Sequence, residues 1–402
     1  MKAQEIKKDV YWIGAVDYES RNFHGYSLSP RGTTYNNYLI LDEKKTIFDT
    51  VKPEHAGFSL ERLASVINPA EIDYLVINHA EADHAGALPD FIAACRPECV
   101  FCSPMGQKAL EGHFRAWKNW PLKVVKSGDV ISLGKRSVHF LETRMLHWPD
   151  SMFSYIPEDR LLFSNDAFGQ NIASSERFAD EISREVLLSA MSEYYHNIVL
   201  PYSQQVLKVL AQVGEMGLDI DMIAPDHGLI FRGKEDAAFV LKTYRRFAEQ
   251  KPGKRAVIVY DTMWYSTQTM AYAVAEGLGA AGVPARIMSL KDNHHSAVMS
   301  EVARCGLVMV GSPTHNNGIL PFVSGFLTYM KGLRPQNRLG GVFGSFGWSG
   351  ECVKIISERL ADMGFELPAD PVKVKYVPDA ESLEQCFALG LTLGRALEAK
   401  CG

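Results

Sequence analysis

The chain has 402 residues, too many for one ordinary hydrophobic core, because single cores stop growing at roughly 250–300 residues, so two domains are expected. Lys and Arg total 42 against 47 Asp and Glu, a net charge of −5, and no basic stripe offers a path to a phosphate backbone, so nucleic acid is not an expected partner. No stretch reaches the ~20 apolar residues of a membrane helix, and the charges of residues 1–9 have no apolar run behind them, so neither insertion nor export is expected.

Seven scattered cysteines (95, 99, 102, 305, 352, 386 and 401) make an odd number with no disulfide framework, which fits a reducing cytoplasm. Cys99-Val100-Phe101-Cys102 is a lone C-x-x-C without the second pair of a metal ribbon, and its apolar centre reads as a buried strand. Along the first half, Asp73–Asn78, Leu161–Ser164 and Met222–Ala224 read as buried strands, and Val138 and Phe140 alternate with polar neighbours. Helical patterns run from Ser183 to Ile198 and from Ser203 to Glu215, so sheet and helix mix in layers. A polar segment with a Pro-Gly turn, Ala248–Lys254, marks the seam between residues 1–250 and 254–402. Beyond it, apolar runs at Ala256–Tyr260, Ala285–Met288, Leu307–Gly311, Gly340–Gly344 and Val372–Val377 alternate with helical stretches, the first spanning Thr267–Ala281. Five such strands in ~150 residues predict a doubly wound parallel sheet with its ligand at the strand C-termini.

The densest chemistry lies in His79-Ala80-Glu81-Ala82-Asp83-His84, directly after a predicted strand. A loop leaving a strand points alternate residues to one side, so His79, Glu81 and Asp83 can converge, with His84 turning in at the following helix start. Buried without a cation these groups would be costly, and packing alone does not call for them. His147, Asp166 and His227 stand at comparable strand ends, giving enough ligands for two metals. The order H-x-[HE]-x-D-H, then His, Asp and His, resembles the ligand order of the metallo-β-lactamase-like fold, an αββα sandwich, over about residues 1–250. Zinc hydrolases of that fold usually carry His at the second motif position, whereas this chain carries Glu81, a harder oxygen donor that favours iron or manganese. That glutamate is the mark of the flavodiiron proteins. The resemblance implies one iron on His79, Glu81 and His147, another on Asp83, His84 and His227, and Asp166 bridging them. A water completing the second iron, with His84 set behind it, stays open as an alternative.

The first strand after the seam ends in Thr262-Met263-Trp264-Tyr265-Ser266-Thr267, a hydroxyl-rich turn at a helix N-terminus that suits a single phosphate and lacks the G-x-G-x-x-G of dinucleotide folds. Ser312-Pro313-Thr314-His315-Asn316-Asn317-Gly318 and Ser345-Phe346-Gly347-Trp348-Ser349-Gly350 follow the third and fourth strands. These loops are similar to the FMN-binding loops of flavodoxins, a likeness covering about residues 254–402. It implies bound FMN, with Trp264 and Trp348 either flanking the flavin or simply packing.

Together the two halves resemble a flavodiiron protein, which implies a homodimer, head to tail or as a dimer of dimers, that reduces O2 to water or NO to N2O with electrons from rubredoxin through FMN to two irons. No paired C-x-x-C iron site is present, so a separate rubredoxin is the expected donor. His24, Tyr194 and Tyr195 are candidate proton or hydrogen-bond groups beside the metals, with a place in the core as the competing reading. A zinc hydrolase with a flavodoxin-like accessory domain and a non-catalytic flavin electron carrier are the rival functions.

Overall fold

A computed structural model describes residues 1–401, which form two compact units. The first comprises Met1–Gly25, Ser29–Tyr195 and Tyr202–Ala248; the second comprises Tyr26–Leu28, His196–Pro201 and the chain from Glu249 onward.

In the first unit, strands β1 (Gln4–Lys7), β2 (Val10–Trp12), β3 (Tyr38–Ile40), β4 (Thr46–Phe48), β5 (Tyr74–Ile77), β6 (Cys99–Cys102) and β7 (Leu122–Val124) form one sheet in that spatial order. Pairing is antiparallel from β1 to β4 and parallel from β4 to β7. A second sheet runs β8 (Val130–Ser132), β9 (Ser137–Glu142), β10 (Met152–Ile156), β11 (Leu161–Phe163), β12 (Met222–Ala224) and β13 (Phe231–Arg232). Inward residues of both sheets share one core: Trp12, Tyr38, Phe48, Val76 and Phe101 from the first meet Phe140, Ile156, Phe163 and Met222 from the second. Phe48 stacks on Phe163 at 4.2 Å between ring centroids. Alternation along β9, where Val138 and Phe140 point inward, reflects one face on this core and one outside it.

Helices cover the outer faces by the usual apolar stripe. Helix α1 (Leu88–Cys95) buries Leu88, Phe91 and Cys95 at helical spacing, and α2 (Arg184–Tyr194), α3 (Ser203–Glu215) and α4 (Gly233–Ala248) follow later in the chain. The helical pattern expected from Ser183 to Ile198 divides in the structure: α2 ends at Tyr194 and a π-helical turn spans Tyr195–Val199 before Pro201, which cannot donate to a helical ladder. The C-x-x-C pair lies within β6, and both its cysteines are free.

The second unit holds strands β14 (Ala256–Tyr260), β15 (Ala285–Ser289), β16 (Leu307–Gly311), β17 (Leu339–Phe346) and β18 (Val372–Lys375) in the spatial order β15-β14-β16-β17-β18, all parallel. The order reverses at β14, which opens a crevice at the strand C-termini beside the loops after β14 and β16. Helices α5 (Ser266–Ala280), α6 (His295–Arg304), α7 (Pro321–Leu333) and α8 (Ala380–Cys401) flank the sheet. Helices α5 and α8 meet nearly backbone to backbone: a Cβ on Gly277 would lie 2.0 Å from the Phe387 carbonyl oxygen, and one on Gly390 would lie 2.1 Å from that of Val274. Among the described residues, no helix is long and apolar enough to cross a membrane.

Phe163, 1% exposed at the centre of the first core, is the residue whose loss the sandwich should feel most. Phe163→Ala is expected to destabilise the first unit by about 3–5 kcal/mol, read as a lowered midpoint for that unit in chemical denaturation.

Candidate metal centre and flavin loops

Loops from both sheets of the first unit meet at one end of the sandwich. Residues 78–84 leave β5 and turn into a short helix, Ala82–Ala85, with Glu81 as its N-cap. Asp49 clamps the start of this loop, its Oδ1 accepting from the Asn78 N–H at 2.7 Å and its Oδ2 from the Asn78 side-chain amide at 2.7 Å. His147 lies between β9 and β10, Asp166 follows β11, and His227 follows β12.

The seven residues fall into two groups, His79, Glu81, His147 and Asp166 in one and Asp83, His84 and His227 in the other, with the ligand atoms of each within 4.8 Å of one another. Asp166 joins the groups. Its Oδ2 lies 2.9 Å from His147 Nε2 and 3.3 Å from His79 Nε2, while its Oδ1 lies 3.1 Å from His84 Nε2 and 3.3 Å from His227 Nε2. Glu81 closes the first group through Oε2, 3.2 Å from His79 Nε2 and 3.3 Å from His147 Nε2. Asp83 closes the second, with Oδ2 3.2 Å from His227 Nε2.

His79 and His227 present Nε2 to the carboxylates because Nδ1 is hydrogen-bonded elsewhere. His79 Nδ1 donates to Asp150 Oδ2 at 3.0 Å and His227 Nδ1 donates to the Thr34 carbonyl at 2.6 Å, while His84 Nδ1 lies 3.2 Å from Asp226 Oδ2 without hydrogen-bond geometry. Such supporting acceptors fix the tautomer and strengthen Nε2 as a metal donor. Asp49, Asp150, Asp226 and Thr34 form this outer layer, and none was singled out from the sequence. Asp150 and Asp226 stand beside His147 and His227 in their loops, a signal that adjacency to a candidate ligand could have supplied.

The donor chemistry fits bound cations. Nε2 of His84, Nε2 of His227 and Oδ1 of Asp83 are buried without a hydrogen-bond partner, although carboxylate and imidazole atoms lie within 3.4 Å. Atoms that close without hydrogen-bond geometry share a focus rather than a proton. Burial disfavours charge on each imidazole, yet the carboxylates outweigh it: His84 is pushed up to about 9 by Asp83 and Asp166, His147 is raised by Asp166 and Glu81, and His79 and His227 are raised well above the usual imidazole range. The carboxylates therefore favour positive charge at this focus, which a bound metal would supply.

Two candidate hydrogen-bond groups reach the carboxylates. His24 Nε2 lies 3.1 Å from Glu81 Oε1, and the buried Tyr194 hydroxyl donates to Asp166 Oδ1 at 2.8 Å. The Tyr195 hydroxyl meets Ser203 Oγ at 3.1 Å and its ring packs on Tyr244 and Phe247, one residue further along a helical turn pointing roughly 100° away from Tyr194.

In the second unit the three predicted loops lie at the C-terminal ends of β14, β16 and β17. Tyr265, at φ 65°, caps α5 without a side-chain hydrogen bond, leaving the first-turn N–H groups of Ser266 and Thr267 available to a phosphate. Thr262 is buried, its N–H held by Asp261 Oδ1 at 2.7 Å and its carbonyl by the Lys291 ammonium. Met263, Trp264 and Trp348 are exposed, the two tryptophans at 82% and 87%, which leaves both rings open to a planar ligand. Other hydroxyls are already engaged: Thr267 Oγ1 pairs with Ser345 Oγ at 3.0 Å, Ser312 Oγ accepts from the Leu320 N–H at 3.1 Å, and Thr314 Oγ1 accepts from the Cys352 N–H at 3.2 Å. Pro313 separates those last two, and His315 and Gly318 pair across a tight hairpin whose turn residues, Asn316 and Asn317, take φ of 46° and 58°. Phe346 ends β17, and Gly347, Ser349 and Gly350 complete the turn around Trp348.

The family described as ODP family beta lactamase matches residues 33–228, and that described as Flavodoxin matches residues 258–390. Rubredoxin-oxygen oxidoreductase of Megalodesulfovibrio gigas is 55% identical over 400 residues, covering 100% of this chain and 99% of that protein. The chain belongs to the flavodiiron protein family. The nitric oxide reductase of Moorella thermoacetica is 43% identical over 96% of each chain. Among solved structures, the rubredoxin oxygen:oxidoreductase of Desulfovibrio gigas superposes with a TM-score of 0.98 over 99% of both chains at 55% identity, and the flavodiiron protein of Giardia intestinalis with 0.95 over 100% of this chain and 98% of that one at 33% identity. The sandwich is thus metallo-β-lactamase-like and the parallel sheet flavodoxin-like. A flavodiiron protein is an oxidoreductase whose cofactors are FMN and two irons, and the donor set and the loops described above fit both.

Proposed function

We propose that this flavodiiron protein reduces O2 to water or NO to N2O, with His79, Glu81 and His147 holding one iron, Asp83, His84 and His227 the other, and Asp166 bridging them. The single observation that carries the assignment is the division of Asp166 between the groups, one carboxylate oxygen to each. Glu81 in place of an imidazole supports iron over zinc. FMN takes two electrons at a time and two irons take one each, so the loaded protein holds the four electrons that O2 needs and the two that a pair of NO molecules needs.

The chain's own residues supply position and hydrogen bonds. Asp150 and the Thr34 carbonyl orient two imidazoles, Asp226 stands beside a third, and Asp49 holds the loop that carries four of the ligands. Tyr194, held well above the usual tyrosine range by burial and by Asp166, stays protonated across the physiological range and donates to the bridging carboxylate. His24 meets Glu81, the other carboxylate of the same group. Tyr194→Phe is expected to retain iron and to lower turnover roughly 2- to 10-fold, the worth of one hydrogen bond, as seen in steady-state NO and O2 consumption with the iron counted beforehand.

In the second unit, the N-terminus of α5 with Thr262 and Ser266 would take the FMN phosphate, and Trp264 and Trp348 would flank the flavin. The electron donor is a separate rubredoxin, the working form is a head-to-tail homodimer in which FMN of one subunit serves the irons of the other, and the setting is the cytoplasm; the name of the M. gigas relative and the free cysteines support the first and last of these. Sedimentation at working concentration should give a dimer or a dimer of dimers, and a fully active monomer would remove the exchange between subunits. Anaerobic stopped-flow of the reduced protein, with iron and FMN counted first, tests the whole reading: oxidation by O2 or NO at rates above the donor-limited turnover is expected, and a protein with zinc in both positions and no such oxidation would be a hydrolase.

A further inference from the structure

The loop that carries His227, residues 225–229, runs between β12 and β13 outside the ladder those strands share. A buried loop must find a donor for every carbonyl it hides. Here five successive carbonyls are met by only two residues, Asn36 and Gln170, both fully buried. The Asn36 side-chain amide donates to the Pro225 carbonyl at 2.8 Å and to the Gly228 carbonyl at 3.0 Å, and its backbone N–H donates to the Asp226 carbonyl at 2.7 Å. The Gln170 backbone N–H donates to the His227 carbonyl at 3.2 Å, and its side-chain amide donates to the Leu229 carbonyl at 3.1 Å. Gln170 Oε1 in turn accepts from the Leu229 N–H at 2.7 Å.

Both amides are themselves held in place. Asn36 Oδ1 accepts from Trp12 Nε1 at 2.8 Å, and an indole N–H can only donate, so the amide is fixed with its protons toward the loop. Gln170 also donates to the Phe168 carbonyl at 3.1 Å, within the turn that follows Asp166. Gly228 lets the loop come this close: at φ 83°, a Cβ there would lie 2.1 Å from Gln170 Oε1. The places of the two residues in the chain matter as much as their bonds. Asn36 stands two residues beyond Thr34, whose carbonyl accepts from His227 Nδ1, and Gln170 stands four beyond Asp166. Donors for these carbonyls could have come from any neighbouring element. Instead they come from the segment that orients the imidazole and the segment that carries the bridging carboxylate.

We propose that Asn36 and Gln170 are positioning residues for the second iron, clamping the backbone on both sides of His227 so that its imidazole is held against Asp166. The inference rests on the metal assignment above. Its consequence is selective: the clamp touches the loop of one ligand in the group of Asp83, His84 and His227 and none of the loops that carry His79, Glu81 and His147, so loosening it weakens one iron of the two.

The test uses the full chain loaded with iron and FMN, with Asn36→Asp and Gln170→Glu, which keep the side-chain shape but remove the amide donors, and Gln170→Met as an uncharged variant that decides the matter should a buried carboxylate prevent folding. Readouts are the iron retained against rising concentrations of a ferrous chelator under anaerobic conditions and the Mössbauer spectrum of the loaded protein. Each variant is expected to give up one iron per chain at a chelator concentration roughly 10–100-fold below that for wild type, with the other iron released as before. One component of the spectrum should change and the other should not. In a His227→Ala background, Gln170→Met should add nothing to the loss, because the ligand it positions is already gone. A merely structural role would lower the retention of both irons together. Equal loss of both, or wild-type retention of both in the folded variants, overturns the proposal. Wild-type protein that holds fewer than two irons per chain under saturating ferrous iron would instead overturn the metal assignment.

Discussion

Asp166→Asn is expected to abolish O2 and NO reduction while leaving the fold intact. The carboxylate is the one group whose two oxygens reach all four imidazoles, and it is 2% exposed, so solvent cannot take its place. An amide of the same shape keeps a single neutral acceptor and turns donor protons toward half of the histidines. Loss of a supporting group behind a ligand costs ~10–100-fold in metal affinity, and loss of the bridge should exceed that. The expected outcome is iron content falling from two per chain to one or none and turnover falling by more than roughly 100-fold, with FMN content and the circular dichroism spectrum unchanged. Metal analysis beside the activity assay checks it; an Asp166→Asn protein that keeps both irons and normal rates would deny the bridging role.

Glu81→His should change which metal is held. Glu81 is the only carboxylate besides Asp166 in its group, and it is kept well below the usual carboxylate range, burial opposing and His147, His24 and His79 prevailing, so it enters the site as an anion. Replacing it with imidazole removes one negative charge and one hard oxygen, and gives a softer donor set of the kind zinc takes. Protein expressed with both metals present is expected to exchange iron for zinc in the first group. Its oxygen and nitric oxide reductase activity should fall by more than roughly 100-fold, because a zinc ion passes no electrons. Elemental analysis would decide the matter: an iron-loaded, active Glu81→His variant would mean that the glutamate does not select the metal. The His24 contact with Glu81 would be lost as well, which Glu81→Asp separates from the change of donor type.

The parts of this architecture that were legible in the sequence are those in which chemistry and chain are local. His79, Glu81, Asp83 and His84 fall within one short loop after a strand, but they do not converge by alternation as expected: His79 and Glu81 enter one group, and the short helix Ala82–Ala85 carries Asp83 together with His84 into the other. Strands β12, β14 and β16 coincide with their apolar runs, because buried strands read as near-continuous hydrophobic sequence. What the sequence concealed acts across distance. Asp49 lies 29 residues from the Asn78 it clamps, and Thr34 lies 193 from His227, so nothing in either local pattern marks them. The partners of the flavin-loop hydroxyls are equally remote, Ser312 accepting from the Leu320 N–H and Thr314 from the Cys352 N–H. The segments Tyr26–Leu28 and His196–Pro201 are too short and aperiodic to announce that they belong to the second unit.

Anomalous diffraction from crystals of the protein as purified, collected on either side of the iron absorption edge, tests the central claim most directly. Two iron peaks per chain roughly 3.5–4 Å apart are expected, one among His79, Glu81 and His147, the other among Asp83, His84 and His227, with Asp166 reaching both. Zinc at both positions, or a single metal with Asp166 turned away from the second group of side chains, would contradict it.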